Sequence, residues 1–224
     1  ISLNQILKRV GQFVFLPLGI YLTSWVGWFV SDKGWARNSG SNPISSLWNY
    51  HLEILNFHTN LVEKHSYSAN PWSWLVLGRP TSFYYQSGDS CGASECAQEI
   101  LAIGTPLLWW SAIIAVAITI GFYINTSNRS AEIVLAGFVG TYLPWFIFQD
   151  RTMFYFYSIT TLPFLILALI YCFDLLLKYG NYQRVIMLFI FVVAINFIYF
   201  LPIYIGIEIP YSQWLSRMWL PSWI

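Results

Sequence analysis

Long apolar runs without charge alternate with short charged segments along this chain. Residues 10–30, 100–128, 133–149, 152–173 and 185–207 contain no Asp, Glu, Lys or Arg. Each run is long enough to cross a hydrocarbon core of about 30 Å as a helix, which takes about 17–25 residues. The pattern predicts five transmembrane helices, at about 10–30, 101–124, 132–149, 153–176 and 185–207. An external loop (31–100) and a tail (208–224) remain outside them. Each span holds one proline (Pro17, Pro106, Pro144, Pro163 and Pro202), which predicts kinked helices.

Within the loop the period changes. Ile44, Leu47, Trp48, His51, Ile54, Leu55, His58, Leu61, Val62 and His65 recur at steps of three and four, with Asn49, Glu53, Asn56, Asn60, Glu63 and Lys64 opposite. That is an amphipathic helix over 43–65, with Asn42 as cap and Pro43 in the first turn. Such a helix suits the interfacial plane, Trp48 at headgroup depth. Trp72, Trp74, Trp109, Trp110, Trp214, Trp219 and Trp223 read as an aromatic belt at the same surface. The fold class is therefore all-α and integral to a membrane.

Charge sets the orientation. Lys8 and Arg9, Arg129, and Lys178 and Arg184 fall in alternate connections, which by the positive-inside rule face the cytoplasm. The N-terminus is then cytoplasmic, and the 31–100 loop, the Asp150–Arg151 turn and the tail are extracytoplasmic. Asn125-Thr-Ser and Asn128-Arg-Ser match the glycosylation pattern but fall on the cytoplasmic side. Only 9% of residues are charged, against about 25% in a typical globular chain, and the net charge is +1. Nothing in that balance points to nucleic acid. The first residue is Ile1, and the expectation is a C-terminal piece of something longer.

Three groups of residues carry candidate chemistry. All three histidines, His51, His58 and His65, lie on the apolar stripe. Seven residues of helix separate neighbours by about 10.5 Å, too far for two to share one ion, so a metal site is not expected. Packing against bundle groups and lining a polar cleft both stay open. Cys91 and Cys96, in CGASEC, read as a disulfide stapling a loop on the oxidising side. Asp150 and Arg151 occupy a short external turn. A guanidinium at headgroup level suits a lipid phosphate, through bidentate charge-assisted bonds, and equally suits snorkelling beside Asp150. Arg79 and Arg217 are weaker candidates of that kind, and Lys33 and Arg37 weaker still. Transport is disfavoured because the charge-free runs carry no ionisable Asp, Glu, Lys, Arg or His near a midplane.

Several strings together are familiar: SWVGWF, HLEILNFHTNLVEKHSYSANPWSWL, GRPTSFYY, LAIGTPLLWW, LPWF with RTMFYFY, and IPYSQWLSRMWLPSWI. In order, they resemble the C-terminal region of bacterial, actinobacterial-type protein O-mannosyltransferases. The resemblance implies a multi-pass plasma-membrane enzyme of the GT-C class. Such an enzyme moves mannose from polyprenyl-phosphate-mannose to Ser or Thr of exported proteins, with membrane lipids and the secretion translocon as further candidate partners. It implies no cofactor beyond the donor. Family members carry a catalytic acidic pair in their first external loop, and this stretch has none, so alone it is expected to be inactive. Arg151 matches the arginine of the RTMF turn, and His51, His58 and His65 match the histidine-rich external helix. A donor-phosphate and substrate groove is accordingly expected from Arg151, Asp150, His51, His58, His65 and Arg79, roofed by the 43–65 helix. Another polyprenyl-phosphate-sugar transferase and a non-catalytic membrane subunit are the alternatives.

Overall fold

The structure, a computed structural model, describes residues 2–31 and 33–224. Asp32, expected to flank the first span, lies outside the described residues. The chain divides into two compact units, Ile1–Leu61 and Val62–Ile224. Five helices are long and apolar enough to cross a membrane, and the protein is a multi-pass membrane protein of mostly helical fold.

In the first unit, helix α1 (Leu3–Ser24) begins before the charge-free run. Ser2 and Gln5 close a capping box, and the strong helix formers of LNQILKRV carry the helix through Lys8 and Arg9. A π-helical turn at Gly11–Phe15 precedes Pro17. The wider turn is a natural partner for a residue that cannot donate a backbone hydrogen bond. Helix α2 (Pro43–Asn60) starts where the sequence places it, with Asn42 and Ser45 as a reciprocal capping box and Pro43 in the first turn. It ends five residues short of the expected 65. Thr59 and Asn60 turn their side chains back onto the carbonyls of Leu55 and Asn56, competition typical of short polar side chains at a helix end. His65 is therefore off the helix.

The second unit is a four-helix bundle with a small sheet at one end. Helices α3 (Pro106–Thr126), α4 (Arg129–Tyr142), α5 (Leu162–Tyr179) and α6 (Gln183–Ile205) pack through contacts of α3 with α4, α5 and α6, and of α4 with α5. Small buried residues (Ala112, Ala115, Ala168) allow the close approach. Gly137 of α4 lies under the ring of Phe164. Asn196 of α6 accepts from the backbone N–H of Leu107, satisfying a first-turn donor of α3. Prolines mostly start helices here rather than kink them. Pro106 and Pro163 sit in first turns, Pro144 opens the 3-10 segment Leu143–Phe148 that prolongs α4, and Pro202 is interior to α6. Two ion pairs, Arg129–Glu132 (2.7 Å) and Lys178–Asp174 (2.6 Å), sit at the end of the bundle away from the sheet.

The sheet is absent from the sequence reading. Strands β1 (Thr81–Gly88) and β2 (Cys96–Ala102) form an antiparallel hairpin, and β3 (Ile209–Pro210) pairs with Cys96 and Ala97. The order is β1-β2-β3, with a bulge between Ser82 and Tyr84. Cys91 and Cys96 are joined by a disulfide across the hairpin loop. Strand β2 takes the first residues assigned to the second span, and that helix begins only at Pro106.

Tryptophans hold these segments between and after the spans onto the bundle. Four of the seven expected in an aromatic belt are core residues instead: Trp74, Trp109, Trp214 and Trp223 are buried. Each indole N–H has found an acceptor. Trp74 donates to Ala69 O (2.9 Å), Trp109 to Trp74 O (3.0 Å), Trp223 to Leu77 O (2.6 Å) and Trp214 to a Glu99 carboxylate oxygen (2.6 Å). Burial becomes favourable once that polar handle is satisfied. Trp72 and Trp219 remain exposed.

Candidate functional site

The Asp150–Arg151 turn lies between the 3-10 segments Leu143–Phe148 and Tyr155–Thr160, at the sheet end of the bundle. Arg151 N–H donates to Phe148 O (3.1 Å), closing the turn. Its Nη2 donates to the Tyr157 hydroxyl (3.2 Å), and its Cζ lies 5.4 Å from the centre of the Tyr157 ring. That ring is stacked on Trp145 at 5.1 Å. The guanidinium is thus half-buried and held over an aromatic face, which favours a cation. Asp150 stands exposed in the same turn.

Segment 62–69 is tied to this turn. Ala69 N–H donates to Met153 O (2.8 Å), and the Thr152 hydroxyl donates to Glu63 O. His65 sits edge-on to Phe154, ring centres 5.0 Å apart, and its Nδ1 accepts from Tyr67 N–H (3.1 Å). Phe154 and Phe156 stack at 5.4 Å, and Phe156 reaches Phe83 of β1 at 5.5 Å. The structure thus gathers Arg151 and His65 around one aromatic cluster.

The remaining candidates make contacts of their own. His51 lies in the first unit. Its Nδ1 contacts Leu47 O (2.6 Å) and its Nε2 contacts the Tyr21 hydroxyl. A carbonyl only accepts, so Nδ1 carries the proton and Nε2 accepts from Tyr21. Nε2 therefore ties α2 to α1, while Nδ1 is bound within α2 itself. His58, on α2, packs edge-on to Phe57 at 5.2 Å. Arg79 lies over Tyr67 (5.0 Å) and donates to the carbonyls of Ser66, Ser222 and Ile224, clamping the tail. Arg217 donates to Tyr199 O and Gln213 O, and Arg37 donates to Phe29 O. Among the described residues no three His, Cys, Asp or Glu side chains gather as a metal-ligand group.

A cavity of about 220 Å³ is lined in part by the 3-10 segment that follows the turn. Gly104, Trp109, Tyr155, Phe156, Ser158 and Ile159 are among its walls, and the Gly104 N–H donates to the Tyr155 hydroxyl (3.0 Å). A side chain at Gly104 would meet that hydroxyl and the Trp109 ring at 2.8 Å, so only glycine fits there. Of the cavity walls only Trp109 was singled out in the sequence, and as a belt residue. Their one signal was the run of aromatics in FYFY directly after the turn.

Glu99, on β2, is 3% exposed. Burial raises its carboxyl above the ordinary value of 4.5, while hydrogen bonds from Trp214 and Ser82 pull it back down. With the folded value raised, the native state binds more protons than the unfolded chain between the two values. The Glu99 contribution therefore weakens as pH rises from about 4.5 through the raised folded-state value. Glu99→Gln keeps an acceptor for Trp214 and removes the charge. Thermal unfolding of this variant across pH 4–8 is expected to be flatter than wild type, with the gain at the neutral end.

The family described as the C-terminal four TMM region of protein-O-mannosyltransferase matches residues 43–223. The chain belongs to this family. The four spans of that region of a protein O-mannosyltransferase correspond in number to α3–α6. The chain is 27% identical to a polyprenol-phosphate-mannose–protein mannosyltransferase of Corynebacterium glutamicum, over 98% of its own length and 48% of the relative's. It is 29% identical to one from Mycobacterium tuberculosis, over 93% of the chain and 45% of that relative. The chain thus spans about half the length of the curated mannosyltransferases it matches. Its fold is similar to that in the Saccharomyces cerevisiae protein O-mannosyltransferase Pmt1–Pmt2 complex bound to the sugar donor. The TM-score is 0.66 at 24% identity, over 83% of this chain and 28% of that one.

Proposed function

We propose that this stretch is the donor-side membrane half of an enzyme that transfers mannose from polyprenyl-phosphate-mannose to Ser or Thr of exported proteins. The sheet end of the bundle faces outward from the plasma membrane, and the ends bearing Lys8, Arg9, Arg129, Lys178 and Arg184 face the cytoplasm. The observation that carries the reading is the Arg151–Tyr157 pair, linked by Phe156 to an apolar cavity at that outer end. A phosphate on Arg151 and the adjoining prenyl chain against Phe156, Ile159 and Trp109 would match the two halves of the donor. As mannose leaves, charge grows on the phosphate, and a fixed guanidinium stabilises it. A carboxylate outside this stretch takes the proton of the acceptor hydroxyl. The names of the actinobacterial relatives support the donor and the protein acceptor.

The test is mannosyl transfer from polyprenyl-phosphate-mannose to a Ser/Thr peptide, in membranes expressing the full-length parent protein. Saturable transfer to the hydroxyl is expected. Transfer only of a different lipid-linked sugar, or of none, would overturn the reading.

A further inference from the structure

Strand β1 has one strand neighbour. The order β1-β2-β3 leaves two edges: β3, a two-residue strand paired with Cys96 and Ala97, and β1, the long one. Among the described residues, no backbone–backbone hydrogen bond joins residues 81–88 to anything beyond β2. The strand TSFYYQSG has no charge and no proline, and residues 83–87 are exposed, Phe83 by 61%. Edge strands of that length are ordinarily blunted by lysine, proline or a covering element, because free N–H and C=O groups recruit another strand. Lysine and proline are absent from the strand, and the bulge between Ser82 and Tyr84 leaves residues 84–88 in regular register. The hairpin is held by the Cys91–Cys96 disulfide at its loop and by β3.

The edge also leads to the candidate site. Phe83 touches Phe156 (5.5 Å), Phe156 touches Tyr157 (4.9 Å), and Tyr157 accepts from Arg151. A chain lying along β1 would therefore run toward the position assigned to the donor phosphate. We infer that the open edge of β1 binds the acceptor polypeptide as an added β-strand. The occupant is an extended, uncharged segment bearing Ser or Thr. Main-chain hydrogen bonds to β1 supply affinity with little sequence demand, and the exposed rings of Phe83, Tyr84 and Tyr85 flank the bound backbone. The strand's own side chains carry no charge, which matches a neutral partner, and the Glu208 carboxylate lies against Gly88 at its end. This inference rests on the acceptor reading above and adds to it the mode of binding.

In an added strand, every second residue turns both its N–H and its C=O toward the edge. The experiment is a backbone N-methyl scan of a Ser/Thr acceptor peptide, assayed with the full-length enzyme in membranes. Methylation at alternate residues is expected to lower kcat/KM at least about five-fold, the effect of losing one backbone hydrogen bond. The interposed residues should tolerate it. In parallel, a Ser87→Cys enzyme should form a disulfide with a cysteine-bearing acceptor peptide, in competition with the unmodified peptide. A scan without alternation overturns the edge-strand mode alone. Cross-linking of Ser87→Cys between two enzyme copies, with no peptide adduct, also overturns it and makes the edge a copy-to-copy interface. Failure of the unmethylated peptide to accept mannose would instead refute the mannosyl reading and this inference with it.

Discussion

Arg151→Ala in the full-length protein is expected to lower mannosyl transfer about 100-fold or more, the scale of losing a donor aimed at developing charge. The reason is local. Arg151 is held by the Phe148 carbonyl through its backbone and by Tyr157 through its side chain, so its guanidinium is fixed before donor arrives. Arg151→Lys keeps the charge but not the planar fork, and is expected to recover part of the rate. Steady-state assays varying donor and acceptor separately are the check: the loss should appear in donor KM and kcat, with acceptor KM little changed. Wild-type kinetics in the alanine variant would reduce Arg151 to an anchor at the membrane surface.

The second large effect is on stability. Trp74 is 0% exposed, and it is a hub. Its indole donates to Ala69 O, its own carbonyl accepts from Trp109, and its ring meets Trp145 at 5.6 Å and Tyr157 at 6.4 Å. Trp74→Ala removes a large buried ring and is expected to cost about 3–5 kcal/mol, a large share of the about 5–15 kcal/mol that holds a typical protein folded. Because Trp145 and Tyr157 lose a packing surface, the Arg151 turn should loosen as well. Thermal unfolding of the purified full-length protein, followed by tryptophan fluorescence, should report a clearly lowered Tm. An unchanged Tm would mean that the segments outside the spans do not depend on this hub.

What the sequence made legible was set by physics that acts locally. Charge-free runs must become helices in lipid, because no water is present to satisfy the backbone, and five such helices are there. Caps were equally local, and Asn42 and Pro43 start α2 as expected. Its far end was not legible. His65 continues the period of the stripe, but Thr152 and Ala69 tie the chain around it to a turn far away in sequence. The sheet was missed for the same reason. β3 is a two-residue pairing from the C-terminal tail, and the hairpin residues lie beside an apolar run that reads as membrane. Tryptophan placement also needed the tertiary structure. A Trp near an interface reads as belt until a carbonyl is found for its N–H, and Trp74, Trp109 and Trp223 each have one. For the candidate site, the arginine was legible and its support was not. RTMF singles out Arg151, whereas Trp145, Phe83 and the Gly104 cavity are brought beside the turn only by the fold.

The central claim is that Arg151 holds the donor phosphate. Equilibrium binding of polyprenyl phosphate, a ligand without the sugar, to the purified full-length protein tests it most directly. The wild type should bind saturably. Arg151→Ala should bind about 10–100-fold more weakly, the worth of hydrogen bonds to a charged group, and Arg151→Lys should fall between them. Equal affinity in all three proteins would contradict the claim.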